Sequence, residues 1–241
     1  MRVWFFFFAC ALTALAAAKP KPLKQSITSD GKERTYYLLV PDNISEPRPL
    51  ILLLHGSGHV GMSLIDEWKD LAAKEGIILA APDSTDRSRW SSPIDGPDFL
   101  HDVVEAVKSK YPVNGKRVYL FGHSAGAIFG LYMAVMESEY FAAAGVHAGA
   151  LQEDSYRLME QAPRKIPIGI WVGTKDSFFA LDVVRSTRDA LNARGFQAQL
   201  SELPGHDHNY YAVSREVNKA VWEFFRDKEL SGDPKWQQYA K

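Results

Sequence analysis

Ser124 stands in "YLFGHSAGAIFGLY" (Tyr119 to Tyr132), where an apolar strand-like run, a bend pinched by Gly122 and Gly126, and an apolar helix-like run follow one another. A serine hydroxyl is a poor nucleophile near neutral pH. It becomes a good one when a base removes its proton and a third group orients that base. A tight strand-to-helix bend would lift the hydroxyl clear of its neighbours and set it at a helix N-terminus, where developing negative charge is favoured. Glycine on both sides is what such a bend needs, because neighbouring backbone comes too close for a Cβ. The pentapeptide alone means little, since Gly and Ser are common residues. Its setting, strand before and helix directly after, carries the inference.

The required partners lie downstream. Asp176 falls in "GTKDSFF", directly after the apolar run "IGIWV", and two histidines fall in "PGHDHNYY", after "AQLSEL". His206 follows the Pro204–Gly205 turn at once and is the preferred base, with His208 as the alternative. Asp182 opens a helical segment and reads as an N-terminal charge. Asp207, between the histidines, reads as a loop hydrogen-bonder. A His-x-His metal pair would need further ligands that the sequence does not supply, so no metal is expected. Two backbone N–H groups must face the carbonyl oxygen as it gains charge. Ala125 follows the serine and supplies one, and the glycine-rich "HGSGHVG" supplies the other, with Ser57 first and Gly58 second. His123, Trp90, Phe178 and Tyr210 lie in or beside the same loops and are the expected substrate contacts.

These side chains need a frame. Strand-like runs ("RTYYLLVP", "LILLLHG", "IILAAPDS", "KRVYLFG", "AAAGVHAG", "IPIGIWV", "QAQLSEL") alternate with helix-like ones ("SLIDEWKDLAAKEG", "DFLHDVVEAVKSKYP", "AIFGLYMAVMES", "EDSYRLMEQA", "LDVVRSTRDALNARG", "VSREVNKAVWEFFRDKEL"). The alternation predicts an α/β fold, a mostly parallel central sheet with helices on both faces and no large lid domain. The one long aperiodic stretch, Asp83 to Pro97, is of a length that in compact domains is often functional.

The ordered set of motifs resembles the α/β-hydrolase superfamily over about residues 34–225. More closely it resembles the secreted polyhydroxybutyrate-depolymerase-like and feruloyl/acetyl-xylan-type esterases. The segments that carry the resemblance are "LLLHGSG", "GIILAAPDS" with a loop tryptophan after it, "DFLHDVVEAV", "KRVYLFGHSAG", "FAAAGVHAGA" and "GTKDSFF". It implies an α/β-hydrolase fold, with nucleophile, acid and histidine in that chain order, each in a loop after a strand. It also implies ester hydrolysis by a Ser-His-Asp triad without cofactor, with Ser124 and Asp176 at the matching positions. "PGHDHNYY" is similar to the Gly-His-Asp-Trp stretch of S-formylglutathione-hydrolase-type esterases, which favours His206. Ala127 replaces the second glycine usual in the depolymerase-like enzymes, and the glycine run and tryptophan around their histidine are missing. Both departures lean away from a polyester substrate.

Composition sets the outer limits. Of 241 residues, 46% are hydrophobic and 24% charged, as in ordinary globular chains, and 28 basic residues nearly balance 29 acidic ones. Nucleic acid is therefore not an expected partner. "MRVWFFFFACALTALAAA" reads as a signal peptide over residues 1–18, ahead of a single domain over 19–241. Its apolar run is short for a membrane span, so the expectation is export, secreted or periplasmic in a bacterium, with no stable membrane insertion after cleavage. The one cysteine, Cys10, lies inside that segment, so the mature body is expected to hold together without disulfides. The substrate expected is a small-molecule or oligomeric ester. The rivals are a prolyl-oligopeptidase-type peptidase and a hydrolase fold that only binds a ligand.

Overall fold

The computed structural model describes residues 20–42 and 44–237, and residues 1–18, expected to be a signal peptide, and Cys10 among them lie outside the described residues. Eight strands form one sheet in the order β1-β2-β4-β3-β5-β6-β7-β8. They are β1 (Leu23–Ser29), β2 (Lys32–Leu39), β3 (Arg48–Leu54), β4 (Ile78–Pro82), β5 (Val113–His123), β6 (Ala143–His147), β7 (Pro167–Gly173) and β8 (Gln197–Leu203). β1 and β2 pair antiparallel, as do β2 and β4, and every other pairing is parallel. Five helices fill the crossovers, α1 (Gly61–Glu75), α2 (Pro97–Lys108), α3 (Ala125–Met136), α4 (Tyr156–Gln161) and α5 (Leu181–Ala193), and α6 (Tyr210–Phe225) follows β8. The α/β architecture is the expected one. "EDSYRLMEQA" is a short 3-10 turn, Glu153–Ser155, followed by α4.

Strands of a parallel sheet are covered on both faces, so their side chains are apolar at nearly every position rather than at alternate ones. In β3, Leu50, Leu52 and Leu54 enter one core, and Ile51 and Leu53 enter the other. In β5, Val118 and Leu120 divide from Tyr119 and Phe121 in the same way. The first core takes the buried residues of α2, α3 and α5, among them Phe99, Met133 and Leu191. The second takes those of α1 and α6, including Trp68, Val217 and Phe225. With both faces covered, the loops at the carboxyl ends of the parallel strands are the place left for chemistry.

One strand was missed from sequence. β1 is not among the strand-like runs of the sequence, yet it pairs residue for residue with β2 from Leu23↔Leu38 to Ser29↔Lys32. The two strands are joined by Asp30 and Gly31, both at positive φ (49° and 70°). Asp-Gly between alternating runs is a strong hairpin signal. The polar content of β1 hid it, because an edge strand needs only one apolar face.

Candidate active site

Ser124 caps α3 with φ 55° and ψ −115°, a backbone state that costs a non-glycine residue roughly 1–3 kcal/mol and persists only where the surroundings impose it. The two glycines explain the imposition. A Cβ on Gly122 would stand 2.1 Å from the Gly126 carbonyl oxygen, and one on Gly126 would stand 2.0 Å from that of Leu54. The Ser124 N–H donates to the His147 carbonyl at the end of β6, which holds the bend against the neighbouring strand.

His208 Nε2 lies 2.9 Å from Ser124 Oγ, and His208 Nδ1 lies 2.8 Å from Asp176 Oδ2. The side chain of Asp176 is fully buried (0% exposed). Its other oxygen, Oδ1, accepts the N–H groups of Phe178 and Phe179 at 2.8 and 2.9 Å, so both oxygens are engaged and the carboxylate cannot turn. The His208 ring is held between Phe178, at 4.6 Å between centroids, and His123, at 5.1 Å. Three loops, after β5, β7 and β8, thus bring together residues far apart in the chain.

The preference for His206 is corrected by this geometry. Its backbone is used for fastening: the His206 carbonyl accepts the Lys175 N–H at 2.8 Å, and Gly205 N–H donates to Thr174 Oγ1. These bonds tie the histidine loop to the acid loop and turn the His206 ring inward against His147, at 5.6 Å between centroids. Two residues later the chain presents His208 to the serine. Asp207 Oδ1 accepts Asn209 N–H, a role confined to the loop.

Tyr210 also departs from expectation. It is fully buried, with its hydroxyl donating to Asn218 Oδ1, and it supports the stack beneath His123 instead of meeting a ligand. His123 donates to or accepts from His147, Nδ1 to Nδ1 at 3.2 Å. Desolvation on burial, reinforced by the nearby His208, pushes His123 down to about 3, and burial together with His123 pushes His147 down to about 2. Both rings are neutral at the pH where an ordinary histidine begins to charge.

The loop after β3 lies against the serine. A Cβ on Gly56 would be 3.4 Å from Ser124 Cβ. His55 braces this loop: its Nε2 accepts Ser84 N–H at 3.1 Å, and its carbonyl accepts the indole N–H of Trp90 at 2.9 Å. Gly58 N–H is spent on the Arg87 carbonyl, which leaves Ser57 as this loop's candidate donor, with Ala125 N–H opposite at the head of α3.

Two hollows flank the Ser124–His208 pair. One of about 320 Å³ is lined by His59, His123, Phe178, His208 and Tyr211, with Phe178 76% exposed at its edge. The other, about 290 Å³, begins at Ala125 and runs along Trp90 and Phe129, whose rings stack at 5.2 Å. Ile128, Met133 and Met136 line the second of these hollows and were not singled out from sequence. The signal available was the apolar stripe of α3, which reads equally well as core. Among the described residues no three His, Cys, Asp or Glu side chains converge as a metal site, and no helix is long and apolar enough to cross a membrane.

A profile of the dienelactone hydrolase family matches residues 85–237, more than half of the chain. The chain is 30% identical over 105 residues to the bifunctional acetylxylan esterase/xylanase of Neocallimastix patriciarum, a match covering 41% of this chain and 15% of that protein. It is 27% identical over 140 residues to the probable acetylxylan esterase A of Aspergillus clavatus, covering 52% of this chain and 46% of the other. Each match thus spans less than half of the curated relative's length. In fold it is similar to the S-formylglutathione hydrolase of Agrobacterium tumefaciens, with a TM-score of 0.69 and 18% identity over 89% of this chain and 98% of that one.

Proposed function

The chain belongs to the dienelactone hydrolase family, and from that premise we propose that it hydrolyses carboxylic esters through an acyl-enzyme formed on Ser124. The observation that carries this reading is the line of contacts Ser124 Oγ to His208 Nε2 to Asp176 Oδ2, at 2.9 and 2.8 Å. Ser124 Oγ attacks the ester carbonyl carbon as His208 Nε2 takes its proton. The buried Asp176 carboxylate accepts His208 Nδ1–H and stabilises the imidazolium. The carbonyl oxygen, now an oxyanion, is received by the N–H groups of Ser57 and Ala125. His208 then gives its proton to the departing alcohol oxygen. In the second half a water molecule is deprotonated by His208 and attacks the acyl carbon, and the acid leaves as Oγ recovers the proton.

The proton path fixes which hollow serves which part of the substrate. The leaving oxygen must lie at His208, so the alcohol occupies the side lined by His208, Phe178 and Tyr211. The acyl group occupies the side that begins at Ala125. The alcohol side is open and edged by an exposed ring, which suits an alcohol carried on a larger molecule such as a carbohydrate. The acetylxylan esterases among the relatives are named for such esters. Export follows from residues 1–18 as a cleaved signal peptide.

The test is a burst assay on p-nitrophenyl acetate with the purified protein. Ser124→Ala is expected to lower kcat on the order of 10⁶-fold, and an organophosphate should label Ser124. Labelling at another residue, or an unchanged rate in Ser124→Ala, would overturn the reading.

A further inference from the structure

An acetyl group is a poor match for the hollow beside Ala125. A methyl group displaces on the order of 30 Å³, the share of one water in the liquid, against a hollow of about 290 Å³. Its wall is not a scatter of residues. Ala125, Ile128, Phe129, Tyr132, Met133 and Met136 all line it, at spacings of three and four that put them on one face of α3. That face starts next to the serine and ends eleven residues later, roughly 16 Å along the helix at 1.5 Å per residue. The opposite wall is the loop Asp83 to Pro97, with Trp90 stacked on Phe129. Tyr132 is held in place by a hydroxyl-to-hydroxyl bond with Ser155 at 2.5 Å.

At the far end lies a second hollow of about 420 Å³. It is lined by the apolar Pro93, Ile94 and Phe99 and by the charged Asp30, Lys32, Arg34 and Asp98. Ser92 and Met136 line both hollows, so these two side chains stand between them. The second hollow sits between the loop, the N-terminal end of α2 and the β1–β2 turn, far from the proton path.

We propose that the two hollows form one acyl channel, so that the preferred substrates are esters of medium- to long-chain acyl groups whose tail passes the Met136–Ser92 neck. The proposal rests on the ester-hydrolase reading and deepens it by naming the acyl class. Apolar surface buried along α3 stabilises the transition state for each carbon that finds room. Each added methylene should raise kcat/KM about fourfold until the channel is full. Met136 then acts as a specificity-determining residue at the neck, without touching the reacting atoms.

The experiment measures kcat/KM for acetyl, butyryl, octanoyl and dodecanoyl p-nitrophenyl esters in the wild type, Ser124→Ala, Met136→Trp and Ile94→Asp. The wild type should prefer octanoyl or dodecanoyl over acetyl. Met136→Trp should lower the octanoyl-to-butyryl ratio by about tenfold or more by filling the neck. Ile94 is 49% exposed, so Ile94→Asp is a safe second variant for folding. It should lower the dodecanoyl-to-octanoyl ratio by placing a charge beside the tail. A wild type that prefers acetyl, or ratios that both variants leave unchanged, would overturn the channel while Ser124-dependent acetyl hydrolysis left the ester-hydrolase reading standing. Absence of Ser124-dependent hydrolysis on every ester would overturn both.

Discussion

Two histidines separated by one residue do different work because the main chain treats them differently. The His206 carbonyl is bonded to Lys175 and its ring is packed inward, whereas the ring of His208 is set between Phe178 and His123 with a nitrogen on each neighbour of the line. His208→Ala is therefore expected to reduce kcat roughly 10⁴-fold or more, and His206→Ala to leave it within about tenfold, the smaller change reflecting a loosened loop. Steady-state kinetics on variants with unaltered circular dichroism decides this, and the opposite ranking would remove His208 from its assigned role. Ser124, Asp176 and a histidine of the late loop could be read from the chain, because residue type, order and position after an apolar run are local facts. The choice between the imidazoles was not legible, because it depends on a backbone bond to Lys175 that no spacing rule encodes.

Among the elements, the loop from Asp83 to Pro97 shows how a segment without periodicity can still be fixed. Asp95 is fully buried, and its carboxylate collects Arg34, Thr85 and Ser91. Arg34 reaches it at 2.7 Å from β2 while also donating to the Ile94 carbonyl and lying over the Phe99 ring at 3.5 Å. Asp95→Asn would leave that guanidinium buried beside a neutral partner. The expected loss is about 3 kcal/mol of folding stability, read as a lower urea midpoint, and no change in midpoint would show that the pair is dispensable. The absence of periodicity pointed to this loop in the sequence, but its anchor was invisible, since Arg34 lies 61 residues away. The same limit hid β1, whose partner strand had to be seen before its polar residues made sense as one solvated face.

At the scale of the molecule, burial of neutral histidines behind the site makes stability depend on pH. His123 and His147 face each other, with His206 and His208 packed against them and Asp176 beyond. An unfolded histidine titrates near pH 6.5, so below that pH the unfolded chain takes up protons that the folded chain refuses. Stability is complete above about pH 6.5 and is lost progressively as pH falls toward the folded values of about 3 and about 2. Denaturant midpoints at pH 7.5 and 4.5 should show the fall, and His147→Asn should flatten it. An equally steep fall in that variant would assign the acid sensitivity elsewhere. The two-sided sheet was legible in outline because continuous apolar strands and amphipathic helices alternate along the chain. Its hollows were not, since a cavity is what packing leaves over.

The contacts Ser124 to His208 and His208 to Asp176 join residues 84 and 32 positions apart, supplied by the ends of β5, β7 and β8. A chain still emerging from the ribosome carries its serine long before the imidazole that could activate it. On the proposed reading, turnover would become possible only when the last strand docks at the sheet's rim, so the rate of hydrolysis would count finished molecules and no partly assembled form would mimic them.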